Sequence, residues 1–182
     1  MAELDDGVVA SACAGDPDSL SSFYRALSPK VFGYLRAHGA DDPEGLTNEV
    51  FLQVIPRLPG LVGGAAGLRT LVFSVAHARV VDETRRRARR PVQTSYEPEL
   101  DHRSQPSAEH EALAGVGAQG ILAVLDQLGE EQRSVVTLRV LGDLTLEQTA
   151  DILGKSVGAV KQLQRRGLIQ LRSLVERGEV TL

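Results

Sequence analysis

Residues 145–172 constrain the fold most, because two helix-start signals flank a turn signal within this short stretch. Thr145 and Gln148 have the three-residue spacing of a capping box, which begins a short helix. Gly154 follows where a helix can end on a left-handed residue, and Ser156 suits the N-cap of a second helix. This order predicts a helix-turn-helix, a motif whose second helix enters the major groove of DNA.

The charge of the second helix also favours DNA binding. Lys155 to Arg172 contains five basic residues and no acidic one, whereas a solvated helix face usually carries both signs. An ordinary helical hairpin with a basic surface is the alternative. Arg matches the major-groove edge of guanine, and Gln matches that of adenine. The candidate DNA-contacting residues are Ser156, Lys161, Gln162, Arg165 and Arg166, with Lys161 placed for phosphate.

Composition excludes several classes of protein. No apolar run approaches the roughly 18 residues of a membrane span, and the acidic N-terminus lacks the basic start of a signal peptide. We therefore expect a cytoplasmic protein without membrane insertion. Neither the single Cys13 nor the four histidines have the spacing of a metal site. We expect no cofactor, no small-molecule substrate and no enzymatic activity. The histidines are His38, His77, His102 and His110.

The net charge of −4 is unevenly distributed along the 182 residues. Residues 61–91 carry seven bases and two acids, and residues 132–182 carry eight bases and five acids. Residues 92–131 between them carry one base and eight acids. Local field rather than total charge governs the approach to phosphate. The layout therefore predicts two basic modules separated by an acidic segment.

The N-terminal part reads as a series of helices. Asp16-Pro17 and Asp42-Pro43 each combine an N-cap with a proline at the first helical position. Pro56 and Pro59 are expected to end the second of these helices. The glycine-rich residues 60–67 predict a loop, and a long helix should run from Leu68 to about Arg90.

Residues 91 to about 110 keep no hydrophobic period and contain three prolines, which indicates a linker. Further helical segments follow, at about 121–128 and 131–141, before the helix-turn-helix. The predicted fold is all-α, with two small helical bundles joined by an extended acidic linker. We place the N-terminal module at residues 1–91, the linker at 92–115 and the C-terminal module at 116–182.

Three stretches, read in order, resemble the extracytoplasmic-function (group IV) sigma factors of bacterial RNA polymerase. Residues 42–52 resemble the family's polymerase-binding helix, and residues 68–87 resemble its promoter-melting helix. Residues 158–161 stand where the family's recognition helix begins. The resemblance spans about residues 7–91 and 116–177.

The resemblance implies that the N-terminal module binds the clamp helices of the largest polymerase subunit and opens the minus-ten element. The polymerase-binding residues would be Asn48, Glu49 and Leu52. The minus-ten DNA-binding residues would be Arg69, His77, Arg79, Arg85, Arg86 and Arg87. A structural role for these arginines would need carboxylate partners, and the local ones, Asp82 and Glu83, are too few. We therefore expect phosphate contacts.

For the rest of the chain, the resemblance implies that the C-terminal module reads duplex DNA at the minus-thirty-five element. The linker would thread toward the active-site cleft and the RNA exit path. RNA polymerase core, promoter DNA and a cognate anti-sigma factor are the expected partners. A free-standing, dimeric helix-turn-helix regulator, whose N-terminal module senses a ligand or partner, is the alternative function.

The chain departs from the family pattern at several positions. Leu71 and Ala78 stand where an aromatic residue and an asparagine are common, which removes one usual platform for stacking on unpaired bases. The order of Leu163 and Gln164 is inverted, so Gln164 is not among the expected base contacts. This inversion shifts the expected buried stripe of the recognition helix to Val160, Leu163 or Gly167, Leu168 and Leu171.

Overall fold

The computed structural model describes residues 4–89 and 120–177, and helices form all the regular structure of these residues. The N-terminal helices are α1 (Asp6–Cys13), α2 (Pro17–Ala37), α3 (Pro43–Val54), a 3-10 helix (Ile55–Gly60) and α4 (Gly64–Arg89). The C-terminal helices are α5, described over 120–126, then α6 (Glu130–Val140), α7 (Leu146–Leu153) and α8 (Val157–Glu176). The all-α fold is confirmed, whereas the linker 92–115 lies outside the described residues. Within the described part, no helix is long and apolar enough to cross a membrane.

Local signals position the starts of the first three helices. Asp5, Asp16 and Asp42 each accept a hydrogen bond at 2.8 Å from the backbone N–H three residues further on. Each bond satisfies a donor that has no partner inside its helix. For Asp16, hydrogen bonding with Ser19 also lowers the pKa of the carboxyl. The two Asp-Pro starts predicted from the sequence are therefore confirmed.

The predicted loop over residues 60–67 is wrong for most of its length. The long helix begins at Gly64, so only a short turn separates it from the 3-10 helix. Asp6 of α1 explains the difference, because its Oδ1 accepts a hydrogen bond from Ala65 N at 2.8 Å. This carboxylate caps α4 from a distant part of the chain. It satisfies a free N–H and places negative charge at the helix N-terminus.

The two modules share one apolar core. Phe23, Leu27 and Leu68 are fully buried between α2, α3 and α4. Leu138 of α6 and Leu144 of the α6–α7 loop join the same cluster from the C-terminal module. A second, smaller cluster holds the C-terminal helices together through Val135, Ala150 and Val160. We call the contact between the modules the seam.

Candidate polymerase and nucleic-acid interfaces

The helix-turn-helix is built by the caps that the sequence predicts. Gln148 N donates to Thr145 Oγ1 at 3.2 Å, and Thr145 N donates to Gln148 Oε1 at 2.8 Å, which completes the capping box. Gly154 ends α7 with a left-handed φ of 62°. Ser156 then caps α8 by accepting from Ala159 N at 3.2 Å. These contacts set the end of α7 and the start of α8 on either side of a tight turn, the arrangement of a helix-turn-helix.

The buried stripe of α8 differs in part from the predicted one. Val160, Gly167 and Leu174 are buried at intervals of seven residues. A Cβ atom on Gly167 would lie 3.0 Å from Val136 Cγ2, so α6 and α8 approach closely there. Leu168 was expected to be buried and is instead 47% exposed. Val160 and Gly167 are buried as predicted, and Gly167 is so because a residue without a side chain lets the two backbones approach.

The candidate recognition face of α8 is exposed. Two of the five basic residues between Lys155 and Arg172 are occupied elsewhere. Lys155 Nζ binds Glu131 Oε1 at 2.6 Å, and Arg172 Nε binds Glu176 Oε1 at 2.8 Å. The other three cations form no salt bridge with any described residue and belong to the predicted set. All five residues of the predicted set have exposed side chains: Ser156, Lys161, Gln162, Arg165 and Arg166.

The candidate polymerase-binding residues share one exposed face of α3. Leu52 is 71% exposed, and Asn48 and Glu49 are exposed beside it. Tyr24 of α2 donates its hydroxyl to Asn48 Oδ1 at 3.0 Å and is itself 38% exposed. Ile55 extends the apolar surface at 41% exposure. The sequence reading did not include Tyr24, because only the packing of α2 on α3 brings it there.

Several arginines of α4 have carboxylate partners that the sequence reading did not foresee. Arg79 Nε lies 3.7 Å from Glu49 Oε2 of α3, and Arg87 NH2 lies 2.9 Å from Asp41 Oδ1. Arg87 also donates to the backbone carbonyl of Gly39. The expectation that only local acids could pair with these arginines is therefore wrong, because α3 and the segment before it lie alongside α4.

The two remaining arginines of the melting-helix run differ in their surroundings. Arg86 NH1 binds Glu83 Oε2 at 3.1 Å within α4. Arg85 is exposed and forms no salt bridge with any residue in the described part of the chain. Among Arg79, Arg85, Arg86 and Arg87, it is therefore Arg85 that can contact a phosphate without first breaking an ion pair.

Arg69 and His77 face the seam. Arg69 NH2 lies 3.9 Å from Asp143 Oδ2 in the α6–α7 loop. His77 Nδ1 lies 2.9 Å from the hydroxyl oxygen of Tyr34. Burial lowers the pKa of His77, and the nearby Glu130 of α6 opposes this shift. Arg69 and His77 are therefore only partly exposed at the seam, whereas the candidates Arg85, Arg86 and Arg87 of the same helix are exposed.

The comparisons with known proteins match this architecture. Residues 124–173 match the model of sigma-70, region 4. The chain is 31% identical to the ECF RNA polymerase sigma factor ShbA of Streptomyces griseus, over 93% of this chain and 94% of that protein. It is also 31% identical to the ECF RNA polymerase sigma factor SigD of Mycobacterium tuberculosis, over 92% of this chain and 82% of that protein.

A solved structure supports the fold. The structure of CnrH in complex with the cytosolic domain of CnrY aligns with a TM-score of 0.63 at 17% identity. The alignment covers 96% of this chain and 99% of that one. The likeness extends over both modules.

Proposed function

Since the chain belongs to the family of extracytoplasmic-function RNA polymerase sigma factors, we propose that α3, α4 and α8 divide the work of promoter selection among them. The family assignment makes the chain a promoter-specificity subunit that binds RNA polymerase core and directs initiation, rather than a free-standing dimeric regulator. The observation that best supports the proposal is that three exposed cations of α8, Lys161, Arg165 and Arg166, form no salt bridge with any described residue. We propose further that it is a non-enzymatic subunit that acts in the cytoplasm, where core polymerase is found.

In this proposal, α8 reads the minus-thirty-five element as duplex DNA. Its N-terminal half presents Arg165, Arg166 and Gln162 on an exposed face, and Lys161 is available for the phosphate backbone. Each well-placed bidentate pair with a base discriminates against a wrong base by about 1–3 kcal/mol. Exposed cations without carboxylate partners meet DNA without first breaking an ion pair, which favours this face over the paired Lys155.

The exposed face of α3 docks on the clamp helices of the largest polymerase subunit. Leu52 supplies apolar contact, and Asn48 and Glu49 supply polar contacts on either side of it. An apolar side chain at 71% exposure on an otherwise well-packed helix suits a surface that a partner covers. We add Tyr24 and Ile55 to this surface, because both are partly exposed beside the same residues.

The helix α4 contacts the minus-ten region. Arg85 meets phosphate directly, whereas Arg79, Arg86 and Arg87 exchange a carboxylate for phosphate when DNA binds. Exposed ion pairs contribute only about 0–1 kcal/mol, so this exchange is easy. Arg69 and His77 join this surface only after the seam opens, because both face it in the present arrangement.

Reading both promoter elements requires the modules to separate. The minus-ten and minus-thirty-five elements are about 85 Å apart at 3.4 Å per base pair, whereas α4 and α7 are in contact here. The 24 residues of 92–115 would span about 80 Å when extended, and the modules at either end add their own width. We therefore propose residues 1–91 and 116–182 as two modules that part in the holoenzyme, with 92–115 as the tether.

A protein that holds the modules together would block promoter binding. CnrH was solved in complex with the cytosolic domain of CnrY, and we propose that this chain likewise has a cognate anti-sigma factor. Such a partner would cover the exposed faces of α3 and α8, because these are the surfaces that the polymerase and the DNA need.

The proposal is tested by reconstitution with core polymerase. The purified chain should co-elute with core and support transcription from a cognate promoter. Glu49→Lys should abolish co-elution without changing helix content, because it reverses the charge at the centre of the docking face. Glu44→Lys reverses an exposed charge five residues earlier on α3 and is the matched control. Equal co-elution of both variants would refute docking through this face, and no binding by the wild type would refute the function.

A further inference from the structure

A partly buried polar contact joins the modules where α2 ends. His38 Nε2 lies 3.2 Å from the hydroxyl oxygen of Thr137 on α6, across the seam. The Thr137 hydroxyl donates to the carbonyl of Arg133 at 2.7 Å, so its oxygen is left to accept from His38 Nε2–H. The His38 ring also packs on Tyr34, with ring centroids 4.5 Å apart. Of the two tautomers of the neutral ring, this geometry selects the one that carries its proton on Nε2.

Arg133 fixes a positive charge beside this histidine. Its NH1 donates to the carbonyl of Ala37 at 3.2 Å, which caps the end of α2 from the other module. The same guanidinium donates to the carbonyl of Leu125 at 2.9 Å and forms an ion pair with Asp126 at 3.3 Å. Because α5, α6 and the end of α2 all meet at Arg133, its charge cannot move away from the seam while the seam is closed.

While the seam is closed, these surroundings disfavour protonation of His38. Burial is the largest cause, and the charges of Arg133 and His77 add to it, so that the pKa of His38 falls to about 3. Tyr34 faces the ring from α2, and burial raises the pKa of its hydroxyl, so this group stays neutral. Glu130 of α6 is the acid acting on this cluster, and it raises the pKa of His77 rather than that of His38.

We propose that His38 is a proton-sensitive latch, which holds the C-terminal module on α2 when it is neutral and releases it when it is protonated. The remainder of the seam is mainly apolar, through Phe73, Leu138 and Leu144, with a 3.5 Å hydrogen bond from Gln148 Nε2 to a backbone carbonyl of α4. An ion pair that also crosses it is the weak contact of Arg69 with Asp143 at 3.9 Å.

The direction of the pH effect follows from linkage. In the open chain His38 is solvated and titrates near its ordinary pKa of about 6.5. The closed state is therefore fully favoured above pH 6.5, and this advantage is lost as the pH falls toward the lowered pKa of the closed state. Between pH 7.5 and 5.5 the ratio of open to closed molecules should rise about tenfold for this single group.

The test uses an engineered cysteine whose thiol becomes accessible only when the seam between the modules opens. Leu144 is 1% exposed at the seam, so Leu144→Cys in a Cys13→Ser full-length chain should react slowly with a dipyridyl disulfide. The reaction rate, divided by that of a cysteine peptide at the same pH, reports the open fraction even when the open form is rare. We expect this normalised rate to rise at least tenfold from pH 7.5 to 5.5. When His38→Gln is added the rise should be about tenfold smaller, because His77, whose pKa is also lowered at the seam, is then the histidine of the seam that still responds.

Two controls distinguish the latch from other titrations. Val54→Cys places the thiol in the core of the N-terminal module, away from the seam, and its normalised rate should stay constant over the same pH range. The double change His102→Gln and His110→Gln should leave the tenfold response intact. An equal response in the His38→Gln chain, no response in the parent, or a parallel rise at Val54→Cys would each overturn the proposal. Because no polymerase or DNA is used, such a result would leave the proposed function standing.

Discussion

The cap that Asp6 places on α4 allows a quantitative test of a long-range contact. Asp6→Ala removes the hydrogen bond to Ala65 N at 2.8 Å and the negative charge at the N-terminus of a 26-residue helix. Loss of an N-cap acceptor costs about 0.5–2 kcal/mol, and the helix-dipole contribution adds about 0.3–1 kcal/mol. Asp6 is exposed, which places the expected loss in the free energy of unfolding at about 1–2 kcal/mol.

The assay is thermal and urea unfolding followed by circular dichroism. For a chain of this size the change corresponds to a fall in Tm of about 3–6 °C. Asp6→Asn keeps an acceptor but removes the charge, and should lose about half as much. Asp151→Ala removes an exposed carboxylate near the end of α7 and should change the stability by less than about 0.5 kcal/mol. If Asp6→Ala were as stable as Asp151→Ala, the cap would contribute nothing and another cause would have to explain why α4 begins at Gly64.

Two further predictions concern DNA contacts in the holoenzyme. Arg165→Ala should relax promoter preference by about 1–3 kcal/mol at one base pair, while Lys161→Ala should weaken all sequences alike. Arg172→Ala is the control on the same helix, and equal base preference in the two arginine variants, measured by competition binding, would contradict the assignment. Arg85→Gln should reduce the slope of log affinity against log salt by about one unit. An unchanged salt slope for Arg85→Gln would contradict its proposed phosphate contact. Arg87→Gln should lower Tm as well as the salt slope, because Arg87 also binds Asp41 and the backbone of Gly39 within the N-terminal module.

The sequence predicts those parts of the fold that neighbouring residues determine. The capping box at Thr145 and the Asp-Pro starts at Asp16 and Asp42 involve residues three apart, and the structure contains all three. The exposure of the α8 candidates also follows from helical periodicity. One error there is Leu168, which was expected in the buried stripe and is 47% exposed, whereas Leu174, which was not expected there, is buried.

The features that the sequence did not predict depend on residues far apart in the chain. The cap on α4 joins residues 59 positions apart. The contact of His38 with Thr137 joins residues 99 positions apart. No local pattern signals such a pair, because each contact depends on how helices far apart in the sequence pack together. Composition therefore predicts two basic modules, whereas packing alone shows that they share a core.

The ion pair between Arg79 and Glu49 connects the two proposed surfaces of the N-terminal module. We propose Glu49 for the polymerase face and Arg79 for the DNA face, yet their side chains lie 3.7 Å apart. If docking on polymerase engages the Glu49 carboxylate, Arg79 loses its partner and becomes available to phosphate. Coupling of this kind is reciprocal, so DNA that captures Arg79 would also free Glu49 for the polymerase. The pair is partly exposed and contributes at most about 1 kcal/mol, so it can favour joint binding of polymerase and DNA while remaining weak enough to break.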